Sequence, residues 1–203
     1  MTRRALAIGA IATLAVGSQS DALRAQAPPT GAELRAAIGR LGDFEYTVRV
    51  EASRVVRRAT AEVVVPALLE AARRHEDSYV QFRAAVLSVG FGEDRVGAFF
   101  REALDATNDR VRAAAYDYAE HAPDPALVPR LLAALDRETS EFVRPALVRA
   151  LAAHGDDAAV RARLVRDIDR GESYFRGAVI EALGDYQAEY AVDALVRIAE
   201  AAG

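Results

Sequence analysis

The 203-residue chain is 52% apolar with a mean hydropathy of zero, enough to bury a continuous core in one folded domain. It has no cysteine, which excludes a disulfide framework, a thiolate metal site and a cysteine nucleophile. All 26 basic residues are arginine, as a GC-rich codon supply would produce, and they face 30 acids for a net charge of −4, a balance that argues against a nucleic-acid partner.

At the N-terminus Arg3 and Arg4 precede an apolar run from Ala5 to Val16, followed by small polar residues ending in Ala25-Gln26-Ala27. This is the pattern of a cleaved signal peptide over residues 1–27, with Ser20-Asp21-Ala22 as a second cleavage site because Pro28 hinders the first. Thr2-Arg3-Arg4 also resembles a twin-arginine signal, so the Sec and twin-arginine routes both stay open. Either route places the remainder in the periplasm or outside the cell. The run is shorter than the roughly 20 residues a membrane span needs. Without residues 1–27 the chain carries 23 arginines against 29 acids.

From there the composition favours helix, being rich in Ala, Leu, Val, Arg and Glu. Apolar stripes at i, i+3, i+4 and i+7, as in Val143, Ala146, Leu147, Ala150 and Leu151, and turn residues between them predict eleven helices. They fall at 31–41, 46–59, 61–74, 78–89, 93–105, 109–121, 125–136, 140–153, 157–169, 172–183 and 187–201. Asp109, Ser140 and Ser173 suit helix N-caps.

The helices repeat in pairs. Val65, Val96, Val128, Val160 and Val192 recur at spacings of 31, 32, 32 and 32 residues. Val48, Val111, Val143 and Phe175 lie 17 residues upstream of their partners, each followed by arginine. In the second repeat spacing selects Val80 but local wording selects Phe82, which predicts a register irregularity. The reading is therefore all-α: about five hairpins of roughly 32 residues over 44–203, stacked as a right-handed α-α superhelix, with residues 28–43 as an N-terminal cap helix or half-repeat.

Val111-Arg112-Ala113-Ala114, Val143-Arg144-Pro145-Ala146-Leu147, Ala182-Leu183-Gly184-Asp185 and Ala126-Leu127-Val128-Pro129 resemble the short HEAT-like repeats first associated with phycobilisome lyases. The resemblance implies a HEAT-like solenoid over roughly residues 44–202. It does not select an activity, since that family includes lyases, hydroxylases, sensor appendages and plain binding scaffolds. Tetratricopeptide repeats have a similar period, but their tryptophan and Leu-Gly wording is missing here.

Several side chains stand out as candidates. Arg49, Arg112, Arg144 and Arg176 occupy one equivalent position and should stack as a structural ladder. One place before the first-helix anchors lie Thr47, Tyr79, Arg110, Phe142 and Tyr174, so three of five repeats present an aromatic. These rings either cover the seam between repeats or form a partner-binding ridge. In the second reading Tyr79, Phe142 and Tyr174, with Arg73, Arg74 and Arg101, bind a protein or peptide beside a groove lined by second helices. Arg163 and Asp167 replace apolar residues of sibling repeats, and either the helix is rotated to bury Val165 and Ile168 or a charged pair sits at the seam; rotation is the cheaper.

The histidines, His75, His121 and His154, sit near acids at predicted turns without a helical His pair, so neither a metal nor a cofactor is expected. HEAT-type hydroxylases need several His-Glu dipeptides, and this chain has one, His75-Glu76. The leading expectation is an exported, non-catalytic binding scaffold; the alternatives are a HEAT-type enzyme or ligand-binding protein built on the histidines and acids, and a solenoid that self-associates. Self-association follows from the last helix, whose Tyr190, Val192, Leu195, Val196 and Ile198 lack the polar outer face of a cap and predict a homodimer or a missing continuation.

Overall fold

The computed structural model describes residues 27–202, so the expected signal peptide lies outside the described residues. Among these the regular structure is entirely helical. The eleven α-helices are α1 (Gly31–Gly39), α2 (Tyr46–Arg57), α3 (Ala61–Arg74), α4 (Ser78–Val89), α5 (Asp94–Ala103), α6 (Asp109–His121), α7 (Val128–Arg137), α8 (Arg144–Ala152), α9 (Ala158–Asp167), α10 (Ser173–Asp185) and α11 (Val192–Ala202).

Their starts follow local chemistry. Thr30 and Glu33 close α1 with a reciprocal capping box, in which the Thr30 amide donates to Glu33 over 2.8 Å. Asp77, Asn108 and Asp157 each accept two amides of the turn they cap. The cap of α6 is thus Asn108 and not Asp109, which is the first helical residue; Ser140 precedes a turn, and α10 begins at Ser173 behind an uncapped Glu172. Pro129 and Pro145 occupy first turns, where a missing N–H costs nothing. A short 3₁₀ turn at Pro125–Leu127 takes up the first residues of the helix expected from 125, and a second at Glu189–Ala191 leads into α11, with Gln187 and Ala188, where that helix was expected to begin, lying before it.

The first helices of the repeats, α4, α6, α8 and α10, pack against one another in succession. Each second helix lies against the first helix that follows it: α3 on α4, α5 on α6, α7 on α8 and α9 on α10. The N-terminus departs from this order, because α1 packs on α2, α3 and α4, and a 3₁₀ turn at Arg40–Gly42 touches both α2 and α4. That approach requires glycine: a Cβ on Gly42 would lie 2.7 Å from both Val80 Cγ2 and Asp77 Oδ2.

Val65, Val96, Val128 and Val160 are all buried, interleaved with Leu68, Phe99, Phe100, Leu131 and Leu164. Val192, the fifth anchor, is half exposed. The ambiguity in the second repeat resolves in favour of spacing. Val80 is fully buried like Val111 and Val143, whereas Phe82 is only partly so, and Gln81 takes the place of the ladder arginine. No register slip occurs there.

The fourth repeat corrects the rotated-helix expectation. Ile168 is buried, but so is Asp167, which accepts from Arg163 and Arg166. Arg163 also reaches Asp136 on α7 over 2.7 Å. These added partners offset the desolvation that a lone pair would suffer, so the charged seam stands without rotation.

Candidate functional site

The turns that lead into the first helices are held by long side chains reaching back over six residues. Arg49 donates to the Asp43 carbonyl over 2.7 Å, Arg112 to Ala106 over 2.6 Å and Arg144 to Glu138 over 2.8 Å. Gln81 makes the same reach to His75, over 2.7 Å, while its oxygen accepts from Asn108 at 2.8 Å. The ladder thereby satisfies carbonyls that helix ends leave open. Arg176 is exposed.

Glu138 gathers two of these turns. Arg112 forks onto its carboxylate at 2.7 and 3.0 Å, and the Ser140 amide donates to it over 2.9 Å. Burial pushes the Glu138 carboxyl up, but the Arg112 and Ser140 hydrogen bonds outweigh it and hold the group below its ordinary range. The edge that carries the aromatics is therefore rigidly braced.

On that edge the rings do not seal the seam. Phe142 is 60% exposed and Tyr174 is 56% exposed, while Tyr79 is half-buried against Phe82, with centroids 5.9 Å apart. Arg110, the cation in the same series, lies between two of them, its guanidinium 5.7 Å from the Tyr79 centroid and 5.8 Å from that of Phe142. Tyr79, Arg110 and Phe142 thus form a short row in which one guanidinium lies between two rings.

The three arginines expected beside the ridge are engaged within the chain. Arg73 pairs with Glu102 at 2.9 Å and covers Phe99, Arg74 pairs with Glu70 at 3.3 Å, and Arg101 pairs with Asp124 at 3.3 Å. The second helices carry further pairs, Arg130 with Asp105 and Arg163 with Asp136. The groove expected there is largely self-compensated. Sequence reasoning passed over Phe44 and Tyr46, which are exposed at the start of α2 one or more positions off the series, and over Arg110 as a partner of the rings.

The opposite ends of the first helices hold a second cluster. Glu120, buried on α6, accepts from Arg149 of α8 at 2.8 Å and from the Tyr186 hydroxyl at 3.0 Å, and Arg149 also meets Asp185 at 2.6 Å. Burial, reinforced by Glu120, pushes the Tyr186 hydroxyl up to about 12. Asp117, Glu120 and His121 bring ligand atoms within 4.8 Å of one another, but a cation there would have to displace the Arg149 guanidinium. His121 is exposed with Nδ1 2.8 Å from the Asp117 carbonyl, whereas His154 is buried. An open cleft of about 520 Å³ borders His121, lined by Val86, Val89, Phe100, Ala114 and Tyr118.

No protein-family model matches the chain, and no curated protein sequence matches it. No described helix is long and apolar enough to cross a membrane.

Proposed function

We propose that the chain is a short HEAT-like repeat protein, a right-handed α-α superhelix, that acts after export as a non-catalytic scaffold holding a protein or peptide. The succession of packed first helices and the 31- and 32-residue period support the solenoid, because stacked hairpins of one length repeat one contact. Arg3, Arg4 and the apolar run after them support export into the periplasm or beyond. N-terminal sequencing of the protein recovered from its own cells tests that part: an intact Met1 terminus counts against cleavage.

The observation that carries the binding role is the exposure of Phe142 and Tyr174 on an edge braced by the arginine ladder. Large rings left in water on a rigid surface are a common feature of binding sites. Affinity capture from the cell envelope, with a Tyr79→Ala, Phe142→Ala, Tyr174→Ala variant beside the wild type, decides the matter. Partners should be lost with the variant; equal recovery removes the ridge as the binding surface.

The half-exposed Val192 and Val196 favour a second reading, self-association through α11. Light scattering across a concentration series would detect a dimer, and a constant monomer mass would dismiss it.

A further inference from the structure

We infer that the protein pairs with a second copy of itself, α10 lying parallel to α10 of the copy across a two-fold axis, with Ile180 at the centre and Arg176 of each chain against Glu181 of the other. The inference rests on the self-association reading and deepens it, naming the helix and the charges that set the register.

The last repeat leaves open what its siblings close. Five residues after the first-helix anchors stand Ala85, Tyr116, Val148 and Ile180; the first three are buried, whereas Ile180 is 36% exposed. Around it Arg176, Gly177, Glu181 and Gly184 are exposed as well, so one face of α10 is uncovered among the described residues. A lone isoleucine at a surface is ordinary and calls for no partner. Here the charges that flank it make a self-complementary pattern.

Spacing along α10 places Gly177, Ile180 and Gly184 at successive a, d and a positions of a heptad, with Arg176 at g and Glu181 at e. In a parallel helix pair a g residue meets the e residue five places later on the partner, so a two-fold axis forms the contact between Arg176 and Glu181 twice. An antiparallel pair would instead set g beside g and e beside e, bringing like charges together. Both groups are free to engage. Neither has an ion-pair partner among the described residues, while nearby Asp185 already holds Arg149 at 2.6 Å.

The centre of the face also fits. A Cβ on Gly177 or Gly184 would meet nothing within 4 Å, so each Ile180 finds room beside the two glycines of the copy. The parallel direction is the one the repeats already use, since α6 and α8 meet start to start at Arg110 and Phe142 and end to end at Glu120 and Arg149.

Sedimentation equilibrium of the purified protein across a concentration series tests the inference. The wild type should form a dimer. Arg176→Glu and Glu181→Arg should each weaken it on the order of ten-fold, and the Arg176→Glu, Glu181→Arg double variant should regain it, because the pair is restored with its signs exchanged. Both side chains are exposed, so the melting curves of all three variants should match that of the wild type. A wild type that stays monomeric overturns the inference, as do single reversals that leave the dimer intact or a double variant that fails to recover it. A dimer dispersed by Val192→Ser, Val196→Ser yet indifferent to both reversals keeps the α11 reading and removes this one.

Discussion

Arg112 and Glu138 lock two consecutive repeats together, with Nε 2.7 Å from Oε2, although 26 residues separate them. Glu138 is buried, and its ordinary carboxyl value of 4.5 is lowered in the folded chain. A depressed carboxyl contributes stability that is complete above the unfolded value and is lost as pH falls through the folded one. Thermal midpoints should therefore decline below about pH 4.5, and the Glu138→Gln variant should show a shallower decline from a lower start. An identical acid profile in both proteins would show that this pair does not set it.

Gln81 looks like a lapse in the arginine ladder, yet it serves two contacts at once. Its amide N–H donates to the His75 carbonyl and its oxygen accepts from Asn108, which caps α6. Gln81→Arg restores the repeat wording but removes that acceptor. The substitution should destabilise by about 1 kcal/mol, as measured by urea unfolding; a gain in stability would contradict it.

Glu120 is nearly buried under Arg149 and Tyr186. Glu120→Ala should cost about 1–2 kcal/mol, because the Tyr186 hydroxyl loses its acceptor and Arg149 keeps only Asp185. The loss should be markedly less than additive with Arg149→Ala in a double-mutant cycle. Full additivity would show that the two do not interact in solution.

Gly42→Ala places a methyl group within 2.7 Å of Val80 and Asp77. The 3₁₀ turn must then shift off α4, at a cost of about 1–3 kcal/mol. Circular dichroism melting should reveal it, and an unchanged midpoint would mean that the turn accommodates the methyl group.

The ridge should behave in the opposite way. Phe142→Ala and Tyr174→Ala remove exposed rings and should move stability by no more than about 0.5 kcal/mol while abolishing capture of partners. A large loss of stability in either would mark the ring as part of the packing.

The helices and their period were legible because they are written in neighbouring residues. Apolar positions three and four apart, Pro129 and Pro145 near helix starts, and glycines between stripes act through the local backbone, so the predicted helices begin and end within a few residues of those observed. The anchor valines, Val65 to Val160, were legible for the same reason, since they recur at a near-constant spacing within apolar helical stripes, and each is buried.

What depended on neighbours distant in the chain was not legible. The Tyr186 hydroxyl meets Glu120 across 66 residues, and no local pattern announces such a pair. Asp167 is tolerable in the seam because Arg163 and Arg166 meet it and Asp136 holds Arg163, a condition set by how α9 lies on α7. Likewise an aromatic stripe reads the same whether its rings are covered or open. Only the packing of one first helix on the next left Phe142 and Tyr174 in solvent and put Arg110 between Tyr79 and Phe142, because burial belongs to the surroundings of a side chain and not to the side chain itself.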